Sequence, residues 1–284
     1  LTEKPARTIH RMLELDPMTW HFRRNAENPL RADVVVIDEA SMLDLSLTNS
    51  LLEAIPDGAR LIIVGDADQL PSVGPGIVLR DLLSCRNVPR VQLREIFRQE
   101  KESLIVTNAH RVNTGRMPNL LKPGEDETSN CIYVPENDAE RVANRVVGLV
   151  GEELLSEGFQ PWEIQVITPM HKGPLGTINL NRLLQETLNP PAAGRHEIRR
   201  GEKVFREGDR VMQIQNNYTK QVFNGDVGNV VSVDPIGQEL TVQFVDITAR
   251  YEVDEMDELE LAYAMTVHKS QGSEYPLSLI HISE

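Results

Sequence analysis

Two runs of branched aliphatic residues, Val34-Val35-Val36-Ile37 and Leu61-Ile62-Ile63-Val64, constrain this chain more than any other feature. A continuous apolar run without polar alternation is the pattern of a strand buried on both faces of a parallel sheet. Each run stops abruptly in polar residues, Asp38-Glu39 after the first and Gly65-Asp66 after the second. Between them Met42, Leu43, Leu45, Leu47, Leu51, Leu52 and Ile55 recur at mixed three- and four-residue spacings, which predicts a helix with one apolar face, closed by Pro56-Asp57-Gly58. Strand, helix and strand make a βαβ unit. Ligands of parallel sheets bind beyond the carboxyl ends of the strands, so Asp38 and Glu39 face a site rather than a core.

The remaining sequence bounds the class. At 284 residues, 40% hydrophobic and 25% charged, the chain has room for one large or two ordinary domains, which excludes a disulfide-stapled miniprotein. No apolar run approaches the roughly 18 to 20 residues of a membrane span. Cys85 and Cys131 stand apart from any Cys-x-x-Cys or Cys/His cluster, suggesting neither zinc nor a disulfide framework, and the default compartment is a reducing cytoplasm. The chain opens on Leu1 with no signal peptide and reads as a piece of something longer. Its net charge of −14 argues at face value against a nucleic-acid partner. The excess is local, however: residues 117–160 hold 3 basic and 9 acidic side chains, residues 234–260 hold 1 and 9, and the rest balance. With screening over about 8 Å, acidic surfaces elsewhere leave a groove unaffected.

Past a turn-rich stretch, a strand at 132–134, a helix at 139–155, a strand at 164–167 and a helix at 178–188 predict a second α/β unit. From Val204 onward apolar and polar residues alternate, as in Thr241-Val242-Gln243-Phe244-Val245, with a turn at Asp234-Pro235-Ile236-Gly237, predicting a small antiparallel β module.

Taken alone, Asp38-Glu39-Ala40-Ser41 reads equally as a Mg²⁺-binding acid beside a water-polarising acid or as an acidic cap on the following helix. The loop Gly65-Asp66-Ala67-Asp68-Gln69-Leu70-Pro71-Ser72-Val73-Gly74-Pro75-Gly76, at the same end of the same sheet, breaks the tie. These two segments, then Leu93-Arg94-Glu95-Ile96-Phe97-Arg98-Gln99, then Tyr263-Ala264-Met265-Thr266-Val267-His268-Lys269-Ser270-Gln271-Gly272-Ser273-Glu274-Tyr275-Pro276, resemble motifs II, III, IV and V of superfamily 1 helicases, in order, and most of all the RecD/TraA-like branch.

The resemblance implies an α/β chain of two tandem RecA-like P-loop motor domains, both incomplete, with an SH3-like antiparallel insert. It places the first motor domain at 1–116 with a pin-like hairpin near 16–30, part of the second at 117–203, the insert at 204–260 and motif V at 261–276. It implies that Asp38 is the Mg²⁺ aspartate, Glu39 the catalytic carboxylate and Gln69 the residue that couples the γ-phosphate to DNA. Arg98 would reach the γ-phosphate, and Glu274 would contact the nucleotide. On the DNA side it points to Thr8 and His10 in Ala6-Arg7-Thr8-Ile9-His10-Arg11, to Trp20, Phe22 and Arg23 at the hairpin, and to Thr168 and Lys172 where a strand gives way to a helix whose amides could hold a phosphate. His268, Lys269 and Gln271 of motif V complete the set. Arg7 and Arg11 equally suit an exposed helix face, and Trp20 and Phe22 equally suit packing of the hairpin.

The cofactors implied are ATP and Mg²⁺. The partners implied are single-stranded DNA and duplex junctions, with RecB- and RecC-like subunits left open. No Gly-Lys dipeptide occurs, so the Gly-x-x-x-x-Gly-Lys phosphate cradle is not among these residues, and neither is motif VI. The closing Leu277-Ser278-Leu279-Ile280-His281-Ile282-Ser283-Glu284 resembles a translated transposase-type sequencing adapter, so residues 277–284 are expected to be a non-native tail. The function expected is that of part of an ATP-dependent DNA helicase moving 5′ to 3′ and serving recombination or repair. The alternatives are the helicase part of a conjugative relaxase and a non-enzymatic DNA-binding remnant.

Overall fold

Helix α1 (Ile9–Met12) precedes the two aliphatic runs, which form β1 (Val34–Ile37) and β2 (Arg60–Ile63), paired in parallel with Val34 opposite Arg60 and Ile37 opposite Ile63. The computed structural model describes residues 6–16, 18–93, 103–126 and 128–281. Between the strands a 3₁₀ turn, Ala40–Met42, takes up the first part of the expected helix, and α2 (Leu45–Ala54) follows. Its start is fixed by Asp44, whose Oδ1 accepts the Leu47 amide hydrogen at 2.7 Å, satisfying one of the amides a helix leaves open at its first turn. Helices α3 (Val78–Ser84) and α4 (Leu104–Asn113) complete the first unit.

Burial of β1 on both faces is not found among the described residues. Val35 and Ile37 are buried with Leu13, Leu43, Leu51, Ala54, Val78 and Leu79, whereas Val34 and Val36 are 49% and 58% exposed. The described helices cover one face of this sheet only.

Contacts group residues 1–135 as one unit and 136–284 as another, so the boundary expected at 116/117 falls later. The cause is local hydrogen bonding. The Asn108 side chain on α4 donates to the Asn119 carbonyl at 2.9 Å and accepts its amide hydrogen at 2.6 Å, and Asn130 Oδ1 accepts from the Leu104 amide at 2.9 Å. Residues 132–134 form no strand; the Tyr133 amide donates to the Leu121 carbonyl in an irregular segment.

In the second unit α5 (Ala139–Gly148) runs through a π turn, Leu149–Glu153, into α6 (Leu154–Ser156), followed by β3 (Ile164–Thr168) and α7 (Thr177–Leu188). A two-stranded ribbon, β4 (Glu197–Arg200) and β5 (Lys203–Arg206), leads into the antiparallel module of β6 (Arg210–Gln213), β7 (Val227–Asp234), β8 (Glu239–Gln243), β9 (Thr248–Glu252) and β10 (Leu259–Leu261). The sheet order is β10-β6-β7-β8-β9 around a core that includes Phe205, Val211, Val230, Val242, Tyr251 and Leu259. The chain then returns as β11 (Ala264–Thr266), α8 (Val267–Ser270) and β12 (Leu277–Ile280). β3 lies between β11 and β12, parallel to both.

The segment expected to be a non-native tail thus supplies a strand, with Leu277 opposite Ile164 and Ile280 opposite Ile167. Leu277 and Leu279 pack on the core while Ser278 and Ile280 are exposed, so alternation of Leu-Ser-Leu-Ile meets the sheet's requirement whatever its origin.

Candidate nucleotide and nucleic-acid site

Asp38 and Glu39 stand exposed where β1 ends. Glu39 occupies the left-handed region, φ 53° and ψ 41°, and its amide donates to Asp38 Oδ1 at 2.9 Å. A non-glycine residue there costs on the order of 1 kcal/mol or more, and such strain is commonly kept where a side chain must be aimed. β2 delivers the second loop to the same end: the Val64 amide donates to the Ile37 carbonyl at 2.8 Å, and the Ala40 amide to the Val64 carbonyl at 2.9 Å. A Cβ on Gly65 would lie 2.9 Å from the Ala40 nitrogen and 3.1 Å from that of Ser41, so only glycine lets the two loops close on one another.

The rest of the second loop is latched to the start of α2. The Leu45 amide donates to the Pro75 carbonyl at 2.8 Å, and Gly74 lies against the Asp44 carboxylate. Asp66 Oδ1 accepts the Asp68 amide hydrogen at 2.9 Å, turning the chain so that Gln69 is exposed. Arg80 on α3, which the sequence does not single out, donates through Nη2 to the Ala67 carbonyl at 3.3 Å and lines a small cavity with Gln69, Ser41 and Pro71. Asp38 suits a magnesium ion, which takes one or two carboxylates and completes its shell with water and phosphate oxygens. No cluster of three or more His, Cys, Asp or Glu that could cage a metal occurs among the described residues. Arg98 lies outside the described residues.

Of the DNA candidates in the first unit, Thr8 caps α1, its Oγ1 accepting from the Arg11 amide at 3.3 Å. His10 is half-buried, 5.7 Å between ring centroids from Phe22; burial pushes its imidazole below the usual value, and the Asp44 charge opposes this. Phe22 packs on the core around Leu13 and is bridged to Leu15, so it braces the hairpin rather than reaching solvent. Trp20 does the opposite: φ 57° places it on a tight loop, 75% exposed. Asp16 organises that loop by accepting the amide hydrogens of Met18 and Thr19 and pairing with Arg23 at 3.0 Å.

In the second unit two expectations are corrected. Thr168 is fully buried and its hydroxyl donates to the Leu175 carbonyl at 2.7 Å, so its side chain offers DNA nothing. The amides at the start of α7 are also spent, Gly176 on the Gly173 carbonyl, Thr177 on Met170 and Ile178 on His171. Lys172 remains exposed on this loop. On α8 His268 is exposed, while the Lys269 ammonium, pulled below its usual pKa by burial, meets the Asn224 side chain at 2.5 Å. Gln271 is half-buried and Glu274 exposed in the loop leading to β12.

Residues 180–244 match the SH3 domain of ATP-dependent RecD-like DNA helicases, and residues 1–75 match an AAA domain. The ATP-dependent RecD2 DNA helicase of Deinococcus radiodurans is 38% identical over 97% of this chain, which spans 36% of that protein. The RecD subunit of the RecBCD enzyme of Mycobacterium tuberculosis is 33% identical over 94% of this chain, which spans 47% of it. Among solved structures, a Bacteroides Pif1 helicase in complex with ADP-AlF3 and ssDNA superposes with a TM-score of 0.53 at 17% identity, covering 97% of this chain and 72% of that one. A Pif1 structure addressing unwinding at forked dsDNA gives 0.52 at 18%, covering 98% and 71%. The fold is therefore the α/β one of superfamily 1 helicases with an SH3-like antiparallel module.

Proposed function

We propose, for a chain whose relationship to the RecD-like helicases runs over nearly its whole length, that it carries motor elements of an ATP-dependent DNA helicase. The observation that carries this reading is the convergence of Asp38, Glu39 and the Gln69 loop at one end of a parallel sheet, held there by backbone hydrogen bonds rather than by flexible side chains.

In this reading Asp38 holds Mg²⁺, chiefly through water, and the ion neutralises charge developing on the transferred phosphate. The Glu39 carboxylate, fixed by its left-handed backbone, accepts a proton from the attacking water. Gln69 reports the phosphate through a loop that ends against Asp44, beside His10 of the DNA-side segment. Arg98 stabilises charge on the γ-phosphate, and Glu274 contacts the nucleotide. Single-stranded DNA and duplex junctions are met by Thr8, His10, Trp20 and Arg23 of the first unit and by Lys172, His268, Lys269 and Gln271 of the second. Movement is 5′ to 3′ and serves recombination or repair. RecB- and RecC-like subunits are partners only if the whole protein works as the RecBCD subunit does rather than alone. No helix among the described residues is long and apolar enough to cross a membrane, in keeping with a cytoplasmic place of work.

The test is Glu39→Gln in the full-length protein that contains these residues. DNA-stimulated ATP hydrolysis is expected to fall by about 10² to 10⁴-fold, the usual worth of a general base, with nucleotide binding retained. Unchanged turnover would overturn the assignment.

A further inference from the structure

Helix α7 buries an amide at three successive turns of one face, Asn181, Gln185 and Asn189, the last being its C-terminal cap. Buried amides are costly unless every group is paired, so each should be holding something. Asn181 grips the backbone of β11 at Ala264, donating to its carbonyl and accepting its amide hydrogen, both at 2.8 Å. Gln185 and Asn189 both donate to Asp209, at 2.6 and 2.7 Å. Asp209 begins β6 and is fully buried; its carboxylate also accepts the Arg206 amide hydrogen at 2.6 Å and the Tyr263 hydroxyl at 2.9 Å. A single carboxylate thus receives four hydrogen bonds from α7, its cap, β5 and the step between β10 and β11.

That step is where the chain leaves the antiparallel module, in which β10 pairs with β6, and enters the parallel sheet, in which β11 pairs with β3. Gln165 on β3 holds the same step by donating to the Tyr263 carbonyl at 3.2 Å. Farther along the seam Met212, Ala262 and Met265 form an apolar patch, and at its far end Lys269 on α8 meets Asn224 in the turn before β7. The two layers are therefore joined by a polar bolt, an apolar middle and a polar clasp, and the clasp contains a residue proposed to face DNA.

We propose that Asp209 is a positioning residue that registers the SH3-like module against β11 and α8, so that the Lys269–Asn224 clasp closes only while the α7 amide ladder is intact. Displacement of the module then moves the His268–Lys269 loop with it. The bearing of this joint on DNA rests on the function proposed above; the joint itself does not.

A double-mutant cycle in the 284-residue chain tests it, because remote residues that merely stabilise the fold contribute additively. Lys269→Ala is expected to lower the urea midpoint in the wild-type background and to shift it by less than about a third as much in an Asp209→Asn background. Asn224→Ala should behave as Lys269→Ala does. Equal shifts in both backgrounds, or no shift in the wild type, would overturn the proposal. If Asp209→Asn does not fold, Tyr263→Phe removes one of the four donors and the same cycle applies. The four proteins are then titrated with a fluorescent oligothymidylate at several salt concentrations. Asp209→Asn should lower the salt slope by about 0.7, as loss of one phosphate contact does, and the double variant no further. Absence of binding by the wild type would sink the DNA reading while the stability cycle still decides the joint.

Discussion

Glu39 and Gly74 show how individual residues fix the candidate site. Glu39 holds a left-handed backbone for the sake of its carboxylate, so Glu39→Gly should leave stability unchanged or raise it by up to about 1 kcal/mol while removing the carboxylate. A urea midpoint that falls clearly below wild type would show that the backbone there is not strained. Gly74 is the reverse case. A Cβ would meet Asp44 Oδ2 at 2.4 Å and force the carboxylate off the α2 cap, so Gly74→Ala should cost about 1 to 3 kcal/mol in chemical denaturation. Asp38, Glu39 and Gln69 are legible in the sequence because a strand that ends in polar residues exposes them without help from the rest of the fold. Thr168 is not. All five positions of β3 are buried, so no alternation distinguishes a side chain facing the groove from one facing the core.

Elements read differently according to how local their causes are. The turn at 234–237 is where the sequence puts it, because Asp234 Oδ1 accepts the amide hydrogens of Ile236 and Gly237 within the turn itself. The strand expected at 132–134 fails because a short apolar segment needs a neighbouring strand to complete it and, among the described residues, has only the Leu121 carbonyl. Helix α7 carries a signal that is easily passed over: Asn181, Gln185 and Asn189 share a face at four-residue spacing, interleaved with buried Leu180 and Leu184. A polar stripe beside an apolar one marks a helix that binds backbone as well as core. Asn181→Ala should therefore cost about 1 to 3 kcal/mol, since it strands both the amide and the carbonyl of buried Ala264. A loss within about 0.5 kcal/mol, the range of ordinary surface changes, would mean that β11 finds other partners.

At the scale of the whole molecule the charge of −14 is a matter of distribution and pairing. Much of the acidic 234–260 segment is engaged: Asp254 and Asp257 pair with Arg200, Glu255 with Lys220, and Glu258 accepts from Gln213 and Asn217. Two neighbouring acids respond to pH in opposite senses. The Val233 amide and His196 hold Glu207 below its ordinary 4.5, so its contribution is present above that pH and is lost as pH falls through the lower folded value. Burial raises Asp209 above its ordinary 3.8 against the hydrogen bonds it accepts, so its contribution is full below that pH and declines as pH rises. The stability advantage of wild type over Asp209→Asn should accordingly narrow as pH is raised from 3.8, measured by urea denaturation; a constant or widening gap would contradict the sign.

By itself the sequence determined the βαβ unit, the antiparallel module, the order of the motifs and the acids at the end of β1. All of these follow from periodicity and from chain-local hydrogen bonds, which a linear string records. Only the tertiary structure decided that Phe22 braces the hairpin core, that Thr168 and the α7 amides are spent inside the protein, and that Asp209, in a Gly-Asp step that reads as a turn, is a buried junction of four hydrogen bonds. Each of those outcomes depends on partners distant in sequence, up to 54 positions away for Tyr263 and Asp209, and burial by such partners leaves no local mark on the residue it claims.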